Sequence, residues 1–204
     1  LSSTRELVKE KKEVKYYGRF GTAMIRMKDK EIEFVGARRE SYEPSSRKPM
    51  VEDGTLEDDQ NRRDFTINAM AYNDRAGIVD IFHGVEDLQK GVIRAVGNPV
   101  ERFTEDALRI LRAIRFAAQL GFEIEDETYK AISDIAPNLK NVSKERIQVE
   151  LVKLITSPHP EYLKIAYECG VTKVVFPEFD ACMGIEQNNA HHCYSVGEHT
   201  LQAM

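Results

Sequence analysis

The amino-acid sequence predicts an α+β fold in which strands form the first half of the chain and helices the second. Up to about Gly97, partial alternation of polar residues with β-branched and aromatic residues favours strands. The predicted strands cover residues 14–17, 22–27, 31–35 and 78–82. From Thr104 onward, apolar residues recur at three- and four-residue spacing, which is typical of helices. This change of period predicts a domain boundary near residue 100.

The first predicted helix starts at Thr104, whose side chain can cap it, and ends at Gly121, which suits the left-handed position after a helix. Further helices each have a start signal, such as a capping Ser143 or a proline near the first turn. They are predicted at residues 126–135, 143–155 and 159–168.

Composition excludes several classes of protein. At 204 residues with 42% hydrophobic content the chain can bury a core, and its formal charge of −5 argues against a uniformly basic nucleic-acid binder. Any contact with a polynucleotide must therefore come from a local basic patch. Three widely spaced cysteines suit a reducing compartment, and no stretch approaches the roughly 20 apolar residues of a membrane span. We therefore expect a cytoplasmic protein.

The segment from Ser41 to Asn61 is rich in Ser, Pro, Gly and acidic residues and shows no period of its own. A connection of this length is usually functional or mobile. Its acidic residues at 52–59 are interpreted either as a metal site or as a solvated face, and their spacing does not match that of a calcium loop.

The strongest functional signal is the segment from Arg62 to Tyr72, which begins Arg-Arg-Asp and continues through small and apolar residues around Asn68. Guanidinium groups bind phosphate and ribose oxygens bidentately, and a carboxylate can accept from a sugar hydroxyl or fix an arginine. The segment therefore suggests nucleotide binding. Taken alone, it also fits a charged helix N-terminus lying on a surface.

A second candidate site opens the first predicted helix, where Glu105 and Asp106 precede Arg109 and Arg112. Residues three apart share a face of a helix, so Asp106 and Arg109 can present an acceptor beside a planar donor to the edge of a base. The alternative is an ordinary ion pair between the two side chains.

Several segments follow one another in a characteristic order: Arg62 to Tyr72, Asp80 to Gly84, Ile93 to Gly97, Arg102 to Phe116, Leu120 to Ile124 and Val142 to Ile147. Together they resemble the class II tRNA nucleotidyltransferase and bacterial poly(A) polymerase family. The resemblance implies an incomplete polymerase-β-like nucleotidyltransferase palm at 1–100, an all-helical neck at 101–180 and the start of an HD-type domain at 181–204.

The resemblance also implies roles for the site residues. Those expected to serve the ribose and phosphates are Arg62, Arg63, Asp64 and Asn68. Those expected to select the incoming base are Asp106 and Arg109, with Arg112 in the same row. Family members extend an RNA 3′ end by attack of its hydroxyl on the α-phosphate of CTP or ATP, with Mg²⁺ held by palm carboxylates. Glu33, on a predicted strand, is either a third palm carboxylate or a solvent-facing strand residue.

One part of the family pattern is absent from the sequence. This is a Gly-Gly-x-Val-Arg-Asp turn followed by a metal-binding Asp-x-Asp pair, and the chain begins at Leu1, about where that segment should already have ended. We therefore expect the 204-residue piece to lack polymerase activity by itself.

The segment from Gln187 to Leu201 resembles the opening helix of an HD phosphohydrolase domain, in which His199 would be the first metal ligand. The downstream His-Asp pair is absent from the sequence, which ends at Met204. The alternative interpretation of His199 is a capping or packing histidine.

The predicted function is template-independent RNA 3′-terminal nucleotidyl transfer, with CCA addition to tRNA from CTP and ATP as the first candidate. A poly(A) polymerase of the same family is the second, because base choice depends on how Asp106 and Arg109 are positioned. The third candidate is a non-catalytic RNA-binding module whose affinity falls steeply as salt rises. The residues that would contact phosphates in that module are Lys140, Lys144, Arg146 and Lys153.

Overall fold

The computed structural model describes residues 14–17, 22–26, 30–41, 50–187 and 194–204, and it separates into two compact units. The first unit contains the described residues up to Ser41 and residues 50–59; the second contains the described residues from Gln60 onward. No helix in the described ranges is long and apolar enough to cross a membrane.

Both strands and helices are present, which confirms the α+β class. The strands are β1 (Val14–Tyr17), β2 (Thr22–Arg26), β3 (Glu31–Val35), β4 (Arg38–Ser41), β5 (Met50–Asp53), β6 (Ala71–Asn73), β7 (Gly77–Val79), β8 (Val92–Ile93) and β9 (Glu123–Ile124). The α-helices are α1 (Leu56–Asn61), α2 (Gly84–Lys90), α3 (Pro99–Glu105), α4 (Leu108–Leu120), α5 (Asp126–Ile135), α6 (Lys144–Ile155), α7 (Leu163–Glu168), α8 (Thr172–Val175), α9 (Pro177–Cys182) and α10 (Val196–Ala203). Short 3₁₀ helices lie at Thr66–Asn68, Ala136–Asn141 and Pro160–Tyr162.

The first unit is built from antiparallel strands. In the sheet β1–β2–β3, Met24 lies opposite Lys15 on one side and opposite Glu33 on the other. Ala23 and Ile25 of β2 are buried, as the alternation of side chains along a strand requires. The three strands predicted here are confirmed, and Met27, the last residue of the second predicted strand, lies outside the described residues.

The expectation that residues 41–61 have no regular structure of their own is wrong in their C-terminal part. β5 pairs with β4, with Asp53 opposite Arg38, and α1 follows. Thr55 and Asp58 cap this helix reciprocally, because the amide of each donates to the side chain of the other, at 2.9 and 3.2 Å. Acidic residues of this segment therefore have local roles in a strand and in a helix cap.

The core of the second unit surrounds α4, which packs against α6, α7 and β8–β9. Among its largest fully buried side chains are Phe65, Ile93, Phe103, Ile110, Leu111 and Ile114. Residues between 60 and 100 thus share a core with the helices, and the division between the two units lies earlier in the chain than the boundary expected near residue 100. The domain limits at 100 and 180 stay predictions.

The helices predicted after residue 120 are confirmed. α5 has the predicted bounds, α6 starts one residue after its cap position at Ser143, and Gly121 ends α4 in the left-handed conformation with φ of 66°. The helix predicted at 159–168 consists of a 3₁₀ helix followed by α7.

The strand predicted at 78–82 is shorter than expected, because β7 ends at Val79. The Asp80 carboxylate accepts from the backbone amides of Gly84 and Val85 at 2.7 and 2.9 Å. Asp80 therefore lies outside the strand, and its side chain accepts from the first amides of α2.

Gly84 begins α2 in close contact with the backbone of Thr66. A Cβ atom at this position would lie 2.2 Å from the Thr66 carbonyl oxygen, so that part of the backbone would have to move. We expect Gly84→Ala to lower the free energy of unfolding by about 1–3 kcal/mol, measured by urea denaturation. Gly184→Ala is the matched control, since nothing lies within 4 Å of its added Cβ. Equal losses in the two variants would contradict the prediction.

Glu125 ties the start of α5 to the segment that follows β8. Its carboxylate accepts from the amide and the hydroxyl of Thr128 at 2.9 and 2.7 Å and pairs with Arg94 at 3.1 Å. Burial raises the pKa of Glu125. The hydrogen bonds from Thr128 and the charge of Arg94 lower it by more than burial raises it, so the pKa lies below its ordinary value of 4.5.

A carboxylate whose pKa is lowered by folding stabilises the protein above its unfolded pKa and loses that stabilisation as pH falls through the folded pKa. We expect Glu125→Gln to melt at a lower temperature than the parent chain at pH 7, with a difference that shrinks below about pH 4.5. Thermal unfolding followed across that pH range measures the effect. A difference that does not change with pH would count against the assignment.

Candidate nucleotide-binding site

A pocket of about 500 Å³ in the second unit is lined by residues from two segments of the sequence. These are Arg62 to Tyr72, called the first motif, and Arg102 to Phe116, called the second motif. The lining residues of the pocket are Arg62, Arg63, Asp64, Asn68, Asp106, Leu108, Arg109, Arg112, Phe116 and Arg146. The residues predicted to bind the nucleotide all belong to this set. Five arginines and two aspartates give the lining a formal excess of three positive charges, which suits an anionic ligand.

Around Phe65, the first motif is extended and is held by hydrogen bonds to the segment after β8. The amide of Thr66 donates to the carbonyl of Arg94, and the amide of Val96 donates to the carbonyl of Asp64, both at 3.0 Å. Phe65 between them is fully buried and has extended backbone angles. The alternative of a charged helix N-terminus lying on a surface does not describe Phe65, which is buried and extended, although a 3₁₀ helix begins at Thr66.

The Asp64 side chain is only 9% exposed and is bonded to several neighbours. One carboxylate oxygen accepts from the amide of Phe65 at 2.9 Å and from the side-chain amide of Asn68 at 3.2 Å. The other accepts from Nε and Nη2 of Arg112 at 2.7 and 2.6 Å. This carboxylate thus sets the positions of two neighbouring side chains that line the pocket.

The second motif does not form the single helix that the sequence predicted. α3 is capped by Asn98 and ends at Glu105, Asp106 is extended with φ of −149° and ψ of 102°, and α4 starts at Leu108. Thr104 lies inside α3, where its hydroxyl donates to the carbonyl of Val100 at 2.7 Å, and it does not cap a helix. Asp106 therefore lies at a break between two helices.

The break gives Asp106 and Arg109 different partners. Asp106 accepts from the amide of Leu108 at 3.2 Å and from Arg146 at 2.6 Å. The Arg109 guanidinium pairs with Glu105 and also donates to the backbone carbonyls of Arg102 at 2.9 Å and Arg62 at 3.2 Å. The ion pair between Asp106 and Arg109 that the sequence also allowed is thus replaced by these other pairs.

Arg112 connects the first motif to α6. Besides its two bonds to Asp64, it lies 3.9 Å from the carboxylate of Glu150 and 5.3 Å from the centre of the Phe116 ring. Glu150 is buried and accepts from Arg115 at 2.9 Å. Two nitrogens of Arg112 bond to Asp64, so Arg112 holds this carboxylate in place and also lines the pocket.

Sequence reasoning did not assign Arg146 and Glu150 to the nucleotide site. They are four residues apart on α6, so they share one face of that helix. Arg146 was considered only as a phosphate contact for RNA. The helical period indicates the shared face, but the sequence does not indicate that this face is opposite α4.

Glu33 and His199 lie outside this pocket. Glu33 is an exposed residue in the middle of β3, in the first unit. His199 is an exposed residue of α10, whose start is fixed by Ser195 and Glu198. Hydrogen bonds from the backbone and side chain of Ser195 lower the pKa of Glu198. The roles suggested for Glu33 and His199 stay predictions.

The described residues do not fit a metal site. Within the ranges that the structure describes, no group of three or more His, Cys, Asp or Glu side chains is placed to hold a metal ion. The carboxylates of the pocket are instead engaged with arginines and amides. The Mg²⁺ expected for the complete enzyme stays a prediction.

Two family models match the chain on either side of the second motif. One, described as the poly A polymerase head domain, matches residues 2–94. The other, described as a probable RNA and SrmB binding site of polymerase A, matches residues 121–183. A CCA-adding enzyme of Leuconostoc mesenteroides subsp. mesenteroides is 49% identical over 137 residues. The chain belongs to the CCA-adding enzyme and poly(A) polymerase family.

The family relatives are longer than this chain. The match to the Leuconostoc enzyme covers 66% of this chain and 34% of the relative, and a CCA-adding enzyme of Enterococcus faecalis is 47% identical with the same coverage. The chain thus spans about a third of the length of these curated relatives.

Solved structures of the family share this fold. The CCA-adding enzyme of Bacillus stearothermophilus in complex with CTP is 36% identical, with a TM-score of 0.69 over 78% of this chain and 39% of that one. A tRNA nucleotidyltransferase complexed with a primer tRNA and an incoming ATP analog is 30% identical, with a TM-score of 0.74 over 98% of this chain and 54% of that one.

Removal of the Asp64 carboxylate is expected to destabilise the second unit strongly. Asp64→Ala leaves the guanidinium of Arg112 and the amide of Phe65 without this acceptor, so we expect a loss of about 3 kcal/mol in the free energy of unfolding. Urea denaturation measures it.

Glu86→Ala is the control for the Asp64 variant, because it removes a carboxylate from an exposed pair with Lys90, and such pairs contribute little. If both variants lose the same small amount of stability, Asp64 does not organise the site.

Proposed function

We propose that the chain carries the nucleotide-selecting site of an RNA 3′-terminal nucleotidyltransferase that adds CCA to tRNA from CTP and ATP. The main support is that two motifs about 40 positions apart line one positively charged pocket. The names of the relatives, which are CCA-adding enzymes, and the CTP, ATP analog and primer tRNA in similar structures agree with this proposal.

The proposed roles follow from the chemistry of each side chain. Arg62 and Arg63 bind the phosphates as cations, and Asn68, held by Asp64, offers an amide to the ribose hydroxyls. Asp106 accepts from the exocyclic amino group that cytosine and adenine share. Uracil and guanine have a carbonyl oxygen at the corresponding place, so a carboxylate there disfavours both.

Arg109 supplies donors to the same base. Its hydrogen bonds to Glu105, Arg102 and Arg62 hold the guanidinium in place. A guanidinium carries five N–H donors, so donors remain for the ring nitrogen or carbonyl of a base. The pocket thus acts by positioning and by charge neutralisation, which supply much of the catalysis in phosphoryl and nucleotidyl transfer.

A poly(A) polymerase of the same family is the close alternative. The descriptions of the two matching family models name that activity, and the pocket offers the same groups to adenine as to cytosine. A non-catalytic RNA-binding module is the other alternative, because Lys140, Lys144 and Lys153 are exposed. We also propose a cytoplasmic location, which agrees with the free thiols of Cys169 and Cys182.

The test uses the chain completed with the Gly-Gly-x-Val-Arg-Asp segment and its Asp-x-Asp pair. We expect this enzyme to label the 3′ end of a tRNA that lacks its terminal nucleotides, with CTP first and then with ATP, when Mg²⁺ is present. Labelling with ATP alone would favour a poly(A) polymerase. No labelling, with RNA binding retained, would favour the RNA-binding module.

In the same enzyme, Arg109→Ala is expected to disturb the choice between CTP and ATP more than it disturbs RNA affinity. Arg75→Ala is the matched control, since Arg75 is an exposed arginine in the turn after β6. An unchanged nucleotide preference in Arg109→Ala would remove that residue from base selection.

A further inference from the structure

We propose that Gln60 is a positioning residue, which closes the loop that presents the phosphate- and ribose-binding side chains of the first motif to the pocket. Its side-chain amide donates to the Ala69 carbonyl at 2.7 Å and to the Val79 carbonyl at 2.8 Å. This inference rests on the proposed function, because it concerns how the same pocket holds the phosphates of the nucleotide.

Gln60 is a buried polar residue that does not line the pocket. It lies in the last turn of α1, is 2% exposed and is absent from the set of pocket-lining residues. A ligand in the pocket therefore does not touch Gln60. Any effect of this side chain on nucleotide binding must pass through the residues to which it is bonded.

The two bonds fix the orientation of the Gln60 amide group. A side-chain amide carries two N–H donors, and here both are directed to carbonyl oxygens. The reverse orientation would place Oε1 against those two oxygens without a hydrogen between them. Oε1 itself has no hydrogen-bond partner among the described residues. The side chain thus acts on its neighbours as a double donor.

The bond from Gln60 to Ala69 closes a loop that spans nine positions of the chain. The side chains proposed to serve the phosphates and the ribose all lie within this loop: Arg62, Arg63, Asp64 and Asn68. Joining the two ends of a loop removes conformations that it would otherwise adopt. The bond to Val79 attaches the same point to the end of β7, so the closed loop is held against the β6–β7 hairpin.

The centre of this loop is anchored separately from its ends. On either side of the buried Phe65, the backbone of Asp64 and of Thr66 bonds to the segment after β8. Arg62 and Arg63 precede this central anchor. Gln60 therefore limits the movement of the part of the loop that carries the two cations proposed to bind phosphate.

The side chains proposed to select the base depend less on this loop. Of the three acceptors bonded to the Arg109 guanidinium, two belong to α3 and only the Arg62 carbonyl belongs to the loop. Both partners of the Asp106 carboxylate lie outside it. Loss of the Gln60 donors is therefore expected to weaken phosphate binding and to leave the choice of base intact.

The test compares the dissociation constants of CTP, CMP and UTP for the 204-residue chain, measured by isothermal titration calorimetry at one salt concentration. Gln60→Met keeps the length of the side chain and removes both donors. It is expected to lower the ratio of the CMP constant to the CTP constant about tenfold, since one hydrogen bond to a charged group contributes roughly that factor. The ratio of the UTP constant to the CTP constant is expected to stay unchanged.

Two controls separate this effect from a loss of stability. Ile132→Val removes a methyl group from a fully buried residue of α5 that does not line the pocket. A smaller folded fraction weakens the apparent binding of every nucleotide by the same factor, so it changes neither ratio. Gln148→Met makes the same substitution at an exposed residue of α6. Thermal unfolding verifies that each variant folds, and Gln60→Leu takes the place of Gln60→Met if the latter does not.

Each outcome bears on a separate statement. A parent chain that binds no CTP, or binds CMP as tightly as CTP, contradicts the proposed function and this inference with it. A parent chain that prefers CTP to CMP, and whose preference survives the loss of the Gln60 donors, overturns the inference alone. Equal weakening of CTP and CMP binding also overturns it, because Gln60 then only supports the fold. A fall in the UTP to CTP ratio would show that the effect is not confined to the phosphate-binding loop, and it overturns the inference as well.

Discussion

The site depends above all on the Asp64 carboxylate. It accepts from one backbone amide, one side-chain amide and two nitrogens of Arg112, and so connects the first motif to α4. A carboxylate with little access to water is costly unless such donors replace its hydration. The donors that compensate the burial of the Asp64 carboxylate are in turn held in position by it. Asn68 and Arg112 line the pocket in defined positions because this carboxylate accepts their hydrogen bonds.

The second constraint is the repulsion among the arginines. Five of them line one pocket, and neighbouring like charges repel one another. Acidic groups are interleaved with the arginines: Glu105 pairs with Arg109, Asp64 with Arg112 and Asp106 with Arg146. Two of these carboxylates, Asp64 and Asp106, belong to the pocket lining. The cations are thereby held in defined orientations before an anionic ligand arrives, which reduces the reorganisation that binding requires.

Local patterns predicted the elements whose signals lie within a few residues. The bounds of α5 and α6 follow from the apolar period and from start signals, although the Ser143 side chain makes no capping hydrogen bond. The pocket residues of both motifs follow from their types and order. The sequence does not predict the break at Asp106, because Thr104, Glu105 and Asp106 are residue types that are also typical of a helix start. The true start lies at Asn98, followed by Pro99, which is an equally good signal. Arg146 and Glu150 act across 40 and 35 positions, and no local pattern indicates such a contact.

Arg62 contributes to the site through two different groups. Its side chain lines the pocket, while its backbone carbonyl accepts from Arg109 at 3.2 Å. Every residue type carries that carbonyl, so the support of Arg109 does not depend on which side chain stands at position 62. The side chain proposed to bind phosphate can therefore be exchanged at this position without removing the backbone acceptor of Arg109, the residue proposed to read the base. A substitution at position 62 therefore changes the guanidinium and keeps the backbone carbonyl.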